Sequence, residues 1–325
     1  MKMKKLLILL AVILSCTVTF GQQKRWAVVD LSAIYMRIAP DYESALETQE
    51  LMGTIVEVVG EKGYWREIVS PQPYKAWCTE KGIVEMSEEE IERYKLAPKC
   101  IFTELYGHVY ERPSRKAATL CDLVGGDVMR LDGQDGNDGK KDGSLKGKWT
   151  RVLLPSGKCG WVESSQIRAH NGFTSIAKGE GNADSISDAL MKEIMAHAFR
   201  LKGVPYLWGG MTPKGVDCSG LVRWSYLMNG ILLPRNASQM VHCGDQVALP
   251  GNYGSLCIDA LRPGDLVFFG TPATPEKPQR VTHVGIYIGG GRIIHSSHMV
   301  RVNSLEPAEP DYYENAHKLI AARRL

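Results

Sequence analysis

Tyr206-Leu207-Trp208-Gly209-Gly210-Met211-Thr212-Pro213-Lys214-Gly215-Val216-Asp217-Cys218-Ser219-Gly220-Leu221-Val222 is the stretch on which the reading of this chain turns. Asp217 is a natural N-cap, because a short carboxylate can accept from the free amides of a first helical turn. The apolar run after it then predicts a helix from Cys218 to about Met228. A thiol in that first turn meets the positive end of the helix dipole and unpaired backbone N–H groups, which favour the thiolate. A buried structural cysteine is the plain alternative.

Two histidines downstream decide between them. Val284-Gly285-Ile286-Tyr287-Ile288 and Arg292-Ile293-Ile294-His295 are short β-like runs joined by Gly289-Gly290-Gly291, the pattern of a hairpin. His283 opens the first strand and His295 closes the second. Across antiparallel strands the two side chains can lie together, and a sheet packed on the Cys218 helix brings His283 to the sulfur. His295 then holds the second ring nitrogen of His283 and sets its tautomer. Leu266-Val267-Phe268-Phe269 adds another strand, and Leu190, Ile194, Ala198 and Leu201 recur at helical spacing behind Ser185 or Ser187 as N-cap. Residues 185–325 are thus an α+β unit.

Upstream the texture is different. Residues 22–86 form short β-rich segments broken by turn residues, and residues 99–168 repeat the plan. Arg37 and Pro40, then Gly53, Trp65-Arg66-Glu67-Ile68-Val69 and Tyr74-Lys75-Ala76-Trp77 make the first copy. Tyr110 and Pro113, then Gly125-Gly126, Trp149-Thr150-Arg151-Val152 and Lys158-Cys159-Gly160-Trp161-Val162 make the second. Residues 87–98, with Glu88, Glu89 and Glu90 early, suit a connecting helix. Residues 169–184 are a polar linker. The Gly-, Asp- and Lys-rich run from Asp132 to Lys148 is a flexible insertion; it has no closing Glu and is not a calcium loop.

Lys2, Lys4 and Lys5 precede an apolar run from Leu6 to Leu14 and a small-residue zone ending at Gly21. That is the layout of a secretory leader over residues 1–21, too short for a permanent span. Export to a periplasm follows; Ile13-Leu14-Ser15-Cys16 also leaves open a lipidated Cys16. Beyond Gly21 stand Cys78, Cys100, Cys121, Cys159, Cys218, Cys243 and Cys257, an odd number, so at least one thiol stays unpaired in a monomer. No tight double CxxC points to zinc, and no metal or cofactor is expected. With 325 residues, 23% of them charged and a net charge of +3, composition is ordinary and the basic residues are scattered. Nucleic acid is not an expected partner, and no later segment is long and apolar enough to cross a bilayer.

The two β-rich copies resemble the bacterial SH3 (SH3b) domain, in which a Trp-x-x-Val strand precedes a Gly-Trp strand. Residues from about Ile186 to Leu325 resemble the NlpC/P60 family of papain-like cell-wall peptidases. The resemblance rests on Tyr206-x-Trp208-Gly209-Gly210, Asp217-Cys218-Ser219-Gly220, Arg262-Pro263-Gly264-Asp265-Leu266, Thr282-His283-Val284-Gly285 and Ile293-Ile294-His295. It implies a papain-like catalytic domain behind two small SH3-like barrels, acting as a monomer without a cofactor on peptidoglycan stem peptides. It also implies a Cys218, His283, His295 triad, with Tyr206 and the Cys218 amide holding the oxyanion. The order of domains is similar to that of γ-D-glutamyl-L-diamino-acid dipeptidyl peptidases, which release L-Ala-γ-D-Glu from stem peptides with a free N-terminal L-Ala. By that likeness Asp217, Ser219 and Ser238 line the substrate, Glu80 meets its ammonium group and Tyr110 is a contact from the second module. An endopeptidase on intact wall and a non-catalytic wall-binding protein are the other readings, and diaminopimelate versus lysine stays open.

Overall fold

The structure, a computed structural model, describes residues 24–71, 74–132, 147–176 and 186–325. The leader with Cys16, most of the Gly/Lys-rich insertion, Ser185 and the end of the linker lie outside the described residues.

Alternating apolar residues build two seven-stranded antiparallel sheets. The first comprises Arg25–Val29, Ala33–Arg37, Leu46–Leu51, Ile55–Lys62, Trp65–Val69, Lys75–Thr79 and Ile83–Met86. The second comprises Lys99–Phe102, Tyr106–Tyr110, Thr119–Val124, Val128–Leu131, Trp149–Leu153, Cys159–Glu163 and Ile167–His170. Numbering the strands of each in chain order, both lie in the spatial order 3-2-6-5-4-1-7. Register repeats too: Trp65 faces Thr79 in the first sheet, and Trp149 faces Glu163 in the second. Inward residues such as Ala27, Met36, Val56 and Ile68 fill one core, and Phe102, Val109, Met129 and Val152 the other. Helix α1 (Glu88–Leu96) joins them behind Ser87, whose hydroxyl takes the Glu90 amide while the Glu90 carboxylate takes the Ser87 amide.

The remaining chain supplies α2 (Asp188–Arg200, capped by Ser187), α3 (Cys218–Leu227), α4 (Ala237–Met240) and a six-stranded sheet. Across that sheet run Asp245–Gln246, Leu319–Arg324, Leu266–Thr271, Arg280–Gly289, Arg292–Ser297 and Met299–Ser304. The Arg-Pro-Gly-Asp segment is the turn into its central strand: Gly264 has φ +100°, and Asp265 accepts the Arg262 amide at 2.8 Å and pairs with Arg324. Gly289, Gly290 and Gly291 all have positive φ, so the tight turn between the histidine strands needs residues without a Cβ.

Helix α3 is buried along its whole length, between the six-stranded sheet and the two β modules. Leu51, Ile101, Val124 and Val128 share one apolar cluster with Leu221, Trp224 and Leu227, and the Trp224 indole donates to the Gly125 carbonyl at 2.7 Å. The linker reading of residues 169–184 needs correction over its described part. His170 ends the second sheet, and Thr174–Ser175 pair in parallel with Ile231–Leu232. A polar segment can be strand where backbone pairing satisfies its amides.

Candidate functional site

The site is assembled from the start of α3 and the strands Arg280–Gly289 and Arg292–Ser297. Asp217 caps α3 by accepting the Gly220 amide at 2.6 Å, which places Cys218 as the first helical residue. Residue 220 has to be glycine, since a Cβ there would stand 2.1 Å from the Gly210 carbonyl oxygen. Tyr206 is held just in front of the helix, its amide donating to His298 O at 2.8 Å and its backbone bridged to Val216.

Ile286 pairs with Ile294, so Gly285 stands opposite His295 and His283 is the diagonal neighbour on the same face. The two rings meet with His283 Nε2 and His295 Nδ1 2.7 Å apart. Asn303, from the next strand, completes the row: its Oδ1 is 2.9 Å from His295 Nε2, and its Nδ2 donates to Asp311 O at 2.6 Å. The network assigns the tautomers. Asn303 presents oxygen, so His295 Nε2 carries a hydrogen and its Nδ1 a lone pair. That lone pair accepts from His283 Nε2–H, which leaves the His283 Nδ1 lone pair free to act as a base.

Electrostatics favour the neutral forms. Burial, then the charges of His295 and Arg301, lower His283 from the ordinary 6.5 to about 3. Burial lowers His295 to about 4, against the opposing bond from Asn303. Tyr313 packs edge-on to His295 with ring centres 4.6 Å apart, and Phe269 lies 5.8 Å from His283. For Cys218 the tertiary environment opposes the thiolate that the helix terminus favours. Burial and then the Asp217 carboxylate push the thiol up to about 12, outweighing the Val284 and Ser219 amides that pull it down. Burial likewise raises the Tyr206 hydroxyl, with further contributions from Cys218 and Asp217, which favours its protonated form.

The other expected site residues part company. Asp217 and Ser219 flank Cys218, but the protein itself occupies them. Asp217 accepts from Gly220, Gly209, Ser219 and twice from Arg235, and Ser219 accepts from Arg235. Ser238 is exposed on α4, which packs against the His283 strand. The Glu80 carboxylate pairs with Arg66 at 3.0 Å in a surface ion cluster that includes Glu85 and Arg25. Tyr110 packs edge-on to Trp149 and pairs with Trp161, inside the second sheet.

Glu47 is a carboxylate of the first module whose backbone adjoins Gly209. It receives the Tyr74 hydroxyl at 2.5 Å, Tyr74 receives Asn236 Nδ2 at 3.4 Å, and a Cβ on Gly209 would lie 3.1 Å from the Glu47 backbone. Sequence reasoning missed Glu47, Tyr74, Arg235 and Asn303. Only Tyr74 fell in a recognised strand pattern, because Tyr74 and Arg235 make their contacts across modules and Asn303 makes its own across adjacent strands. All seven described cysteines are free thiols. Among the described residues no helix is long and apolar enough to cross a membrane, and no cluster of three or more His, Cys, Asp or Glu is placed to hold a metal.

The NlpC/P60 family model matches residues 203–320. A γ-D-glutamyl-L-lysine dipeptidyl-peptidase of Bacillus subtilis (strain 168) is 34% identical over 265 residues, covering 78% of this chain and 73% of that protein. Dipeptidyl-peptidase 6 of Lysinibacillus sphaericus is 23% identical over 288 residues, covering 87% of this chain and 93% of that one. The crystal structure of an NlpC/P60 family protein from Bacillus cereus ATCC 10987 aligns with TM-score 0.69 and 23% identity over 92% of this chain and 99% of the other, which shows a common fold.

Proposed function

Because the chain belongs to the NlpC/P60 family of peptidases, we propose that it is a cysteine peptidase cutting the γ-D-glutamyl-L-diamino-acid bond of peptidoglycan stem peptides. The product is L-Ala-γ-D-Glu, taken from fragments whose L-Ala amine is free. The observation that carries this reading is the row Asn303, His295, His283, aligned so that His283 keeps one basic nitrogen on the strand that abuts Cys218. The name of one relative similar over most of the chain, a γ-D-glutamyl-L-lysine dipeptidyl-peptidase, supports the bond chosen.

In this mechanism the Cys218 sulfur attacks the scissile carbonyl as its proton passes to His283 Nδ1. The Cys218 amide and the Tyr206 hydroxyl hold the oxyanion, His283 returns the proton to the leaving amine, and water assisted by His283 hydrolyses the thioester. The two sheets act as SH3-like barrels, and the first supplies Glu47 to the ammonium group of L-Ala, since an ammonium taken into a partly closed pocket requires an anion. Glu47 replaces Glu80 in that role. The leader at residues 1–21 takes the enzyme out of the cytoplasm, where wall fragments are found.

The test is mass spectrometry of products from L-Ala-γ-D-Glu-diamino-acid peptides with the amine free or acetylated. Release of L-Ala-γ-D-Glu from the free peptide alone is expected. Glu47→Gln is expected to raise KM for that peptide about tenfold or more by removing the charge partner. Equal cleavage of the acetylated peptide rejects the dipeptidyl reading in favour of an endopeptidase.

The pH profile follows from the lowered His283. A base whose pKa falls from 6.5 to about 3 stays unprotonated as the pH drops through the ordinary imidazole range. The acid limb of kcat/KM is therefore expected below about pH 5. An acid limb near 6.5 would show that His283 is solvated in the working enzyme.

A further inference from the structure

Arg235 is 2% exposed and belongs to neither the nucleophile helix nor the histidine strands, yet all its N–H groups are spent around Cys218. Its Nε donates to the Thr48 hydroxyl at 2.7 Å. One terminal nitrogen donates to Asp217 Oδ1 at 3.1 Å and Ser219 Oγ at 2.9 Å. The other donates to Asp217 Oδ2 at 2.6 Å and more weakly to Gly210 O at 3.5 Å. Thr48 is fully buried in the strand Leu46–Leu51 of the first sheet, directly after Glu47. One planar cation thus ties the first β module to both residues that flank the nucleophile.

We propose that Arg235 is a positioning residue through which the first β module holds the Cys218 nucleophile. The argument has two parts. A bidentate fork fixes the plane of the Asp217 carboxylate, which fixes its bond to the Gly220 amide and therefore the first turn of α3, where the sulfur and its amide sit. Thr48 in turn sets the angle of the fork. The second part is charge. Asp217 is a buried anion next to an atom that becomes anionic on proton loss, and two uncompensated like charges there would oppose the reaction. Arg235 neutralises Asp217, and its field lowers the thiol where the Asp217 field raises it. Lysine keeps the charge and cannot keep the fork.

This inference rests on the reading of Cys218 as nucleophile, and its test does not depend on the substrate. In the full chain, Arg235→Lys and Thr48→Val are compared with wild type by thermal melt, by kcat and KM on the free-amine peptide, and by peptide-resolved alkylation of Cys218 with iodoacetamide across pH. Arg235→Lys is expected to lower kcat about 100-fold with KM changed less than about threefold, as slight misplacement of a reacting group does. Its alkylation profile moves to higher pH, because one ammonium cannot cover both Asp217 oxygens and leaves that carboxylate less compensated beside the sulfur. Thr48→Val, which keeps the shape of the side chain, lowers kcat about tenfold, and if Arg235→Lys does not fold, this variant decides. Folded variants with wild-type kcat and wild-type alkylation overturn the proposal, as does a change confined to the melting temperature. If wild type leaves the peptide intact, the functional reading fails, and a shifted alkylation profile in the variants still supports Arg235 in its place.

Discussion

Cys218→Ala is expected to reduce release of L-Ala-γ-D-Glu by about 10⁴-fold or more while the protein stays folded. Loss of the nucleophile removes the covalent route altogether, and what survives is the smaller rate enhancement from binding and the oxyanion donors. Folding is expected to tolerate the change. Cys218 belongs to the core cluster, but it opens α3, and the Asp217 cap bonds to the Gly220 amide, which the substitution leaves alone. The check is product quantification with purified wild type and variant, with circular dichroism to confirm equal structure. The other six described cysteines are unchanged in the variant, so the loss is assigned to the Cys218 thiol. Retention of more than about one hundredth of the activity by a folded Cys218→Ala would place the nucleophile elsewhere.

His283→Gln is expected to cost about 10³-fold or more in kcat, and His295→Gln about 10²-fold. The difference follows from geometry. His283 is the ring with a nitrogen left over after the network is satisfied, so it alone can move the proton between sulfur and leaving amine. His295 acts on His283, fixing its tautomer through the 2.7 Å contact, and is itself fixed by Asn303. Rapid-quench measurement of acylation and thioester hydrolysis separates the roles, because His283 enters both steps. Equal losses in the two variants would mean that the pair acts as one unit and that orientation is worth as much as proton transfer.

The β modules bear on what kind of enzyme this is. Thr48 and Gln49 make buried polar bonds to the nucleophile region, the latter to the Met211 amide at 2.8 Å, and Tyr106 of the second module donates to Pro213 O at 2.6 Å. Apolar residues of both modules lie in the same cluster as α3. Modules that only tether an enzyme to a polymer need no such shared core, since domain contacts of that kind are small and polar. The intimacy therefore suits a site walled for short fragments better than an open groove on intact wall.

Local chemistry was legible from residues alone. The Asp217 cap before Cys218, the Ser187 start of α2, the glycine turn between the histidine strands and the doubled β plan are all features whose partners lie within a few residues or recur at a fixed period. Short-range geometry is written into the order of residues because the chain cannot avoid it. What tertiary structure alone decided is which distant groups share the site. Glu80 and Glu47 are both acidic residues on one small β module, and only the tertiary packing leaves one in a surface ion cluster and sets the backbone of the other against Gly209. Asn303, on the strand after His295, and Arg235, reaching back to Thr48, are invisible to local pattern for the same reason. For the Cys218 thiol the helix terminus argues for the anion, while burial beside the Asp217 carboxylate, which only the fold decides, pushes the thiol up.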